Sequence, residues 1–540
     1  MRRSAYESLR AATRGHDNDP AFTFVDARLR PTSYTFGRLF ATVEDLAGSL
    51  ASRRLDDPRS VLGLLLSSQE DQVLHYLAAL RAGAVPAVLT PPNPKLDPDY
   101  YARTMTEVVR RSRFAALITD IDLPDFDGPS FSPRVLEPTR TSTPRTPTSR
   151  TAPALGASFL QFSSGTTGIK RGVLVTDQAL LSQLGTYADA LEVTRDDTLI
   201  SWLPLYHDMG FIACLNLPVF VGAHTIMMEP MDWVSRPSLW LRAASTFGAT
   251  LSWNPNFAYA FMAQRAKDAD LVDIDLSALR ALVNCSEPTT QVSQSRFSHR
   301  FSEHGLAPDV FKGCYAMAET TFALTHGEPT WDHARDELGA TNETVPTTGL
   351  PRISVGRPLP GVELEIRDAR GMSCRDREIG ELWARSPFTF SGYYLDDDAT
   401  GEAFDGDWYH TGDLGYRIED AYFVTGRSKD VLIVGGVNVF PEDLERLAGE
   451  VEGILPGRVA AFSEFDEQLQ SERITMVAET DLEDAEGMNA MLEVRQRVLA
   501  AFQIANFGVH LVPPGWLVKS SSGKVARSEN ARKWAARSGP

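Results

Sequence analysis

The chain has 540 residues, more than one hydrophobic core accommodates, so at least two domains are expected. Its net charge of −18 argues against nucleic acid or an anionic membrane as the main partner, and no stretch approaches the roughly 20 apolar residues that span a bilayer. The amino terminus lacks an apolar signal core, so we expect a soluble cytoplasmic protein. The four cysteines, Cys214, Cys285, Cys314 and Cys374, have no C-x-x-C spacing. We therefore expect buried thiols, without disulfides or a zinc site.

Short apolar runs alternate with helical spacing over the first 120 residues. The apolar runs predict strands at 61–66, 87–89 and 114–118, and the spacing predicts helices at 71–82 and 100–111. This alternation predicts βαβ units on a parallel sheet. Residues 137–153 are rich in Thr, Pro, Arg and Ser and predict an exposed, linker-like loop.

A strand-like apolar run, 159–162, leads directly into a segment of small and hydroxyl residues, which is followed by Lys170, Arg171 and strand-like 173–175. The segment consists of Ser163, Ser164, Gly165, Thr166, Thr167 and Gly168. Glycine allows backbone N–H groups to turn towards an anion, and the hydroxyls and two cations add donors and charge. A plain hairpin turn without a ligand explains these residues equally well, and the spacing is not that of a G-x-x-x-x-G-K-[ST] loop.

The alternation of strands and helices continues after this loop. Strands are predicted at 198–203, 224–228, 249–253, 279–284 and 309–313, and each ends at a polar or glycine-containing turn. In open α/β sheets ligands bind beyond the carboxyl ends of the strands, so these turns are expected to meet at one cleft.

The carboxyl-terminal third of the chain changes character. Alternating patterns at 361–366 and 380–384 predict a small β subdomain, and the residues from 429 onwards predict a small α/β domain. The expected fold class is therefore α/β, with a large domain, 1–428, of mostly parallel sheets with flanking helices, and a small mobile carboxyl-terminal domain, 429–540.

Residues 202–210 and 254–259 resemble segments of fatty acyl-AMP ligases, the group that this chain resembles most. Five further segments, in order along the chain, resemble motifs of the adenylate-forming, or AMP-binding, superfamily. They are the segment 163–168, Tyr315–Thr321, Tyr409–Asp413, Gly426–Asp430 and Ser521–Lys524. The resemblance implies a fold of the type shared by acyl-CoA synthetases and adenylation domains. One departure is visible, because Lys170 and Arg171 replace the usual proline and lysine. Arg171 keeps the charge and can bind phosphate oxygens as a fork, whereas the loss of proline affects the stiffness of the loop.

The resemblance also implies a site for ATP and Mg²⁺. The phosphates would be bound by Ser163, Ser164, Gly165, Thr166, Thr167, Gly168 and Arg171. Magnesium would be bound by Thr166 and Glu319, since this ion prefers oxygen ligands. The adenine pocket would consist of Ser286, Glu287, Pro288, Tyr315, Ala316 and Met317. Asp413 and Arg427 would bind the ribose, because a carboxylate accepts two hydrogen bonds.

Three further roles follow from the resemblance. Lys524 is expected to stabilise charge that develops between the carboxylate and the α-phosphate, with Glu319 and His207 as the other catalytic residues. Lys429 is the expected hinge. The acyl pocket is expected to include Met209, Ile212, Trp253, Asn254 and Phe257. A structural role for His207 and a core position for the aromatic residues remain open alternatives.

The predicted reaction joins a carboxylic acid to ATP, forms an acyl-AMP and releases pyrophosphate. We expect transfer to the phosphopantetheine thiol of a separate acyl carrier protein, since no carrier domain is recognisable in the sequence. Three alternatives remain open. The first is an acyl-CoA ligase, and the second is an enzyme that acylates an amine or activates a small inorganic acid. The third is a non-catalytic homologue that binds a nucleotide or an acyl ligand. Residues 328–353 look shorter than the insertion of fatty acyl-AMP ligases, so the subclass stays open, as does the acid, which is fatty, aromatic or an amino acid.

Overall fold

The fold is described from a computed structural model. The residues described are 4–53, 55, 60–93, 97–122, 134–138, 156–163, 170–332, 339–340, 351–434, 437–466, 471–502, 504, 507–520 and 523–538. The predicted phosphate-loop residues Ser164, Gly165, Thr166, Thr167 and Gly168 lie outside these ranges, as does most of the predicted loop 137–153.

The α-helices begin and end close to capping residues. In chain order they are α1 Ala5–Ala12, α2 Phe36–Ser52, α3 Gln69–Ala82, α4 Pro98–Ser112, α5 Asp177–Leu191, α6 Leu217–Val221, α7 Pro230–Ser235, α8 Ser238–Phe247, α9 Asn256–Arg265, α10 Gln291–Phe301, α11 Asp397–Ala403, α12 Pro441–Gly449, α13 Asp484–Phe502 and α14 Arg527–Ser538. Short 3₁₀ turns cover Asp268–Asp270, Ser302–His304, Ala318–Thr320 and Ser428–Asp430.

The strands are mostly short. The first eighteen described are β1 Pro20–Val25, β2 Pro31–Thr35, β3 Val61–Leu65, β4 Val85–Val88, β5 Ala116–Thr119, β6 Arg134–Leu136, β7 Ala157–Phe162, β8 Gly172–Thr176, β9 Thr198–Ser201, β10 His224–Met228, β11 Leu251–Asn254, β12 Ala281–Asn284, β13 Phe311–Ala316, β14 Ala323–Gly327, β15 Trp331–Asp332, β16 Gly339–Ala340, β17 Arg352–Ile353 and β18 Arg357–Pro358. They continue with β19 Glu363–Arg367, β20 Glu378–Arg385, β21 Phe404–Asp405, β22 Trp408–Ile418, β23 Ala421–Arg427, β24 Leu432–Val434, β25 Val437–Val439, β26 Ile454–Asp466, β27 Ser471–Thr480 and β28 Phe507–Val512.

The largest sheet has the strand order β18-β14-β13-β12-β11-β9-β10-β1-β2. Strands β13 to β1 in this order pair in parallel, and antiparallel strands flank both edges. A second, four-stranded parallel sheet has the order β4-β3-β5-β6. The predicted α/β class with mostly parallel sheets is confirmed, and all five strands predicted between 198 and 313 lie in the largest sheet.

The β7–β8 hairpin, two larger sheets and the two-stranded sheets β15–β17 and β24–β25 complete the described fold. Strands β7 and β8 pair antiparallel, with Phe162 opposite Gly172. A mostly antiparallel sheet contains β16, β19, β20, β21, β22 and β23 and includes the two strands predicted around 361–384. Near the carboxyl terminus, β26, β27 and β28 form a separate three-stranded sheet.

The ends of α3 and α4 follow from their capping residues. Ser68 accepts a hydrogen bond from the Asp71 backbone N–H at the start of α3, and Gly83 ends the helix in a left-handed conformation with φ of 88°. Asp97 caps α4, which continues with proline at its first position, where no backbone donor is needed. Both helices therefore extend slightly beyond the bounds predicted from apolar spacing.

A π-helix, Met209–Asn216, begins directly after the segment that contains His207. The Asn216 side-chain amide donates to the Phe211 carbonyl at 2.8 Å, and its oxygen accepts from the Tyr76 hydroxyl at 2.8 Å. These buried bonds satisfy groups that the wider helical turn leaves available, and such turns are frequent at functional sites. Apolar spacing did not predict this element, because a fully buried helix carries no amphipathic period.

Apolar side chains form one main core, to which the elements between Ala5 and Tyr422 contribute, and a separate core between Leu432 and Val509. Phe440 nevertheless packs with Tyr416 and Phe423 of the antiparallel sheet. The domain boundary at 428/429 therefore stays a prediction. Within the described part of the chain, no helix is both long and apolar enough to cross a membrane.

A buried ion pair connects the two parts of the chain. The Arg352 guanidinium of β17 is 2.7 Å from the Asp443 carboxylate of α12, and the two side chains are only 7% and 2% exposed. The Arg352 guanidinium also donates to the Thr425 carbonyl at 3.4 Å. Because charges at this depth are costly unless they are paired, each partner depends on the other.

We expect Asp443→Ala to lower the free energy of unfolding by about 3–5 kcal/mol, because the buried charge of Arg352 would lose its carboxylate partner. Unfolding in urea, followed by tryptophan fluorescence, measures the shift. The matched control is Glu493→Ala, which removes a pair to Arg497 in which both side chains are more than one-third exposed, and a change of at most about 0.5 kcal/mol is expected there. Equal transition midpoints for the two variants would contradict the prediction.

Candidate functional site

A cavity of about 390 Å³ opens at the carboxyl ends of β9, β12 and β13. The predicted residues that line it come from six separate segments: Ser163 and Arg171, His207, Ser286, Ala316 with Met317 and Glu319, Arg427 with Lys429, and Lys524. The cleft lies where ligands of open α/β sheets bind. The structure thus brings residues more than 300 positions apart in sequence into one cavity.

One end of the cavity is cationic. The Ser163 backbone N–H donates to the Arg171 carbonyl at 3.0 Å and closes the end of the β7–β8 hairpin. The Arg171 guanidinium lies 5.2 Å from the centre of the Tyr393 ring, and Lys170 also faces the cavity. Burial lowers the pKa of the Lys170 ammonium to about 8. These groups form an end that is suited to phosphate oxygens.

Glu319, from the turn after β13, is held beside the cationic end. The Tyr393 hydroxyl donates to the Glu319 carboxylate at 3.1 Å, and the Phe390 backbone N–H donates to the Glu319 carbonyl at 2.8 Å. Burial raises the pKa of Glu319, and the Tyr393 bond and the Arg427 charge oppose this shift only in part. A second positive group, such as a metal ion bound to phosphate, would restore the ionised carboxylate.

Asp413 connects three strands next to the cleft, but neither Asp413 nor Tyr315 is among the lining residues, which include Gly412 and Arg427. One carboxylate oxygen accepts from the Tyr315 hydroxyl of β13 at 2.7 Å, and the other accepts from Arg427 Nε of β23 at 3.1 Å. Asp413 itself lies on β22 and is 7% exposed. Asp413 raises the pKa of Arg427 even though burial opposes this shift. Each carboxylate oxygen has two lone pairs, so acceptor capacity for a ligand remains.

Lys524 reaches the cleft from a tight turn. Ser520 N–H donates to the Lys524 carbonyl at 2.8 Å, and Gly523 has a left-handed φ of 81°. Burial first, and then the charge of Arg427, lower the pKa of Lys524, while Asp208 and Glu287 act in the opposite direction. The ammonium therefore lies among two carboxylates and one guanidinium.

His207 and Asp208 form a pair beside Lys524. His207 Nδ1 lies 2.6 Å from a carboxylate oxygen of Asp208, and that oxygen also accepts from the Met209 backbone N–H at 2.8 Å. Burial raises the pKa of Asp208, but the neighbouring His207 and Lys524 outweigh it and hold the pKa below its ordinary value. An ionised Asp208 can orient His207 and stabilise the charge of Lys524 at the same time.

Several residues that the sequence analysis assigned to the site do not line the cavity. Glu287 accepts a short hydrogen bond from the Phe257 backbone N–H at the start of α9, and Pro288 is exposed. The predicted acyl-pocket residues Met209, Ile212, Trp253, Asn254 and Phe257 are not among those that line the cavity.

Two of the acyl-pocket candidates are core residues with satisfied polar groups. The Trp253 indole donates to the Tyr187 hydroxyl at 2.8 Å, and Asn254 accepts from the Trp202 indole at 2.6 Å. The apolar lining of the cavity comes instead from β4 and α4, through Val88, Leu89, Met105 and Val108. The acyl pocket therefore stays a prediction, without support from this cavity.

Asp208 and Tyr393 had no assigned role in the sequence prediction, and Lys170 was expected only to add charge to the predicted anion-binding loop. Asp208 directly follows His207, so a carboxylate next to a candidate histidine was the available signal. Lys170 was visible as part of a cation pair. Tyr393 carries no local signal, because it reaches Glu319 only through the pairing of residues 391–394 with β8.

The chain is similar to known proteins over most of its length. A profile of the family described as AMP-binding enzyme matches residues 9–394. The long-chain-fatty-acid–AMP ligase FadD26 of Mycobacterium marinum is 27% identical over 95% of this chain and 94% of its own length. A Mycobacterium leprae protein named fatty-acid–CoA ligase fadD21 is 29% identical with the same coverage of both chains. A solved structure from a study of fatty acyl-adenylate ligases of E. coli and L. pneumophila has a TM-score of 0.86 at 25% identity and covers 99% of both chains.

Ser286 has an unusual backbone conformation in the cleft. Its φ is 73°, a region that costs a residue with a Cβ about 1–2 kcal/mol. Its hydroxyl has only weak partners, the sulfur atoms of Met209 at 4.0 Å and Cys285 at 3.8 Å. The position therefore requires a small side chain, and the hydroxyl itself contributes little to the fold.

We expect Ser286→Gly to keep the KM for ATP within about twofold and not to lower Tm, because glycine adopts this φ without strain. Ser286→Val should lower Tm and raise the KM for ATP, because a branched side chain is disfavoured at positive φ and projects into the cavity. Thermal unfolding and initial rates at varied ATP measure both effects. A valine variant indistinguishable from the glycine variant would contradict the assignment of Ser286 to the nucleotide cavity.

Proposed function

The chain belongs to the AMP-binding enzyme family, and on this basis we propose that it joins a carboxylic acid to ATP to form an acyl adenylate. The carboxylate oxygen attacks the α-phosphorus, the bond from that phosphorus to the bridging oxygen breaks, and pyrophosphate leaves. The observation that carries the proposal is that Lys524, Glu319 and the cationic end of the β7–β8 hairpin line the same cavity.

Each group in or next to the cavity has a proposed chemical task in this reaction. Lys170 and Arg171 neutralise the β- and γ-phosphates, and the Asp413–Arg427 pair binds the ribose. Ser286, Tyr315, Ala316 and Met317 enclose the adenine. Lys524 donates to the oxygens that gain negative charge as the new bond forms, and a preorganised cation is most effective where water is excluded.

Glu319 is the proposed protein ligand of Mg²⁺. The other predicted ligand, Thr166, lies outside the described residues, and the Glu319 carboxylate would share the ion with phosphate oxygens and water. This composition is the usual one for magnesium bound with a nucleotide. The ion would neutralise phosphate charge, and Tyr393 keeps the carboxylate oriented towards the cationic end.

We further propose a fatty acid as the substrate. FadD26 and the compared ligase structure are named for fatty acyl adenylate formation, and both cover nearly the whole chain. The acceptor we propose is the phosphopantetheine thiol of a separate carrier protein. The similarity to a protein named as a CoA ligase makes CoA the acceptor to be tested against it.

A movement at Lys429 would serve the second half-reaction. Lys429 follows Arg427, which is anchored by Asp413, and precedes Asp430, which pairs with Arg527 at 3.1 Å. Arg527 also pairs with Glu442 and Glu445, each at 2.8 Å, so the residues after the proposed hinge form one connected group. A rotation between these two anchors would withdraw Lys524 and admit the thiol.

We expect pyrophosphate release with ATP and medium- or long-chain fatty acids, and little with aromatic or amino acids. Lys524→Ala should reduce this rate by more than about 100-fold, the loss expected for a central charge worth about 3 kcal/mol, while ATP binding persists. Lys267→Ala, an exposed lysine outside the cleft, is the matched control. No release with any acid would exclude the proposed function, and full activity of Lys524→Ala would exclude the role of this lysine.

We expect Lys429→Pro to slow thiol transfer much more than adenylation, because proline fixes φ near roughly −65° and restricts the hinge. Pyrophosphate release measures the first half-reaction, and thioester formation from preformed adenylate measures the second. Lys429→Ala removes the same side chain without restricting the backbone and should retain transfer. Equal slowing of both half-reactions by proline, or of neither, would rule out a hinge here.

A further inference from the structure

A second cavity, of about 310 Å³, lies beside the cationic end of the main cleft. Phe162, Lys170 and Arg171 line both cavities, so they form the wall between the two. The remaining lining comes from the end of α4, through Arg110, Arg111, Ser112 and Arg113, and from Gly172, Tyr394, Leu395 and Asp396. We call this second cavity the arginine trough.

The arginine trough concentrates positive charge. Of its eleven described lining residues, five are cations and one, Asp396, is an anion. That carboxylate lies 4.0 Å from Arg111 and 3.7 Å from Arg171, and Glu107 binds Arg110 and Arg111 from outside the cavity. Among the described residues, four arginines face these two carboxylates and Lys170 adds a fifth cation, in a chain whose net charge is −18.

Helix chemistry explains only part of this positive charge. Arg110 and Arg111 lie in the last turn of α4, where cations complement the helix dipole and pair with Glu107. Arg113 follows the helix and, in the described part of the chain, belongs to no ion pair. Lys170 and Arg171 reach the same space from a different part of the chain, so the helix end does not account for them.

The arginine trough is also open to solvent. The side chains of Arg110 and Arg111 are 62% and 40% exposed, and that of Arg171 is 44% exposed. Guanidinium groups form paired hydrogen bonds with phosphate oxygens, and exposed ones exchange their ligand readily. The volume of about 310 Å³ accommodates a compact polyanion.

We propose that the arginine trough is a second polyphosphate site, which receives inorganic pyrophosphate from the main cleft before its release. The assignment to pyrophosphate rests on the proposed function, in which this anion forms against the shared wall of Lys170 and Arg171. Transfer across that wall lets the anion exchange one set of cations for another without crossing the rest of the cleft. No covalent step is involved.

Calorimetric titration of the full chain with inorganic pyrophosphate, without acid or ATP, tests the site directly. We expect two binding events for the parent protein. In the double variant Arg110→Gln/Arg113→Gln, the affinity of the arginine trough for pyrophosphate should fall at least about tenfold, so that only one event is detected under the same conditions. The matched control Arg265→Gln removes an exposed arginine from the last turn of α9 and should retain both events. A single event for the parent, or two equal events for all three proteins, would overturn the proposal.

Two further arms identify the anion and separate this proposal from the proposed function. If inorganic phosphate, at the same concentration as pyrophosphate, displaces pyrophosphate from the arginine trough, the site binds free phosphate and the pyrophosphate assignment is overturned. In a single turnover with an active acid, the double variant should form adenylate at the parent rate and show weaker inhibition by added pyrophosphate. An inactive parent protein that still binds two pyrophosphates would refute the proposed function and retain the second site.

Discussion

The hydrogen-bonded carboxylate of Asp413 is the interaction on which the rest of the cleft depends. It joins Tyr315 of the parallel sheet to Arg427 of the antiparallel sheet, and so fixes two separately formed sheets relative to each other. Arg427 is the last residue of β23, and the chain from there leads to Lys524. A displacement of Arg427 would therefore separate the cationic end of the cleft, the proposed ribose-binding pair and Lys524 from one another.

Buried charges need partners of opposite sign, which explains why cationic and anionic side chains alternate in the cleft. Arg427 lowers the pKa of Lys524, and Asp208 and Glu287 counteract it, so the lysine is held between a repulsive and two attractive neighbours. Burial raises the pKa of Glu319, against the opposing effects of its own backbone N–H, the Tyr393 hydroxyl and the Arg427 charge. A nucleotide with its metal ion would add charges of both signs to this arrangement and would favour the ionised carboxylate.

The sequence predicts most of the fold and the composition of the site, because both depend on local patterns. The strands at 224–228 and 61–66 follow from apolar runs of the right length, and Glu319, Asp413 and Lys524 follow from short motifs. Tyr393 could not be predicted, because its contact with Glu319 depends on pairing between segments 220 residues apart. The positive charge of the arginine trough was equally hidden, since residues 110–113 look like ordinary surface cations until the fold brings them to the same cavity as Lys170 and Arg171.

The departure from the usual proline and lysine at Lys170 and Arg171 has a structural counterpart. Proline would stiffen the end of the phosphate loop by fixing one dihedral angle. Here the Arg171 carbonyl accepts from Ser163 N–H at 3.0 Å, and the Gly172 carbonyl accepts from Tyr394 N–H at 2.7 Å. Hydrogen bonds from both sides therefore hold the backbone directly after Lys170. Lys170 is a second cation where the family pattern has an uncharged ring, so one short segment presents positive charge to two cavities at once.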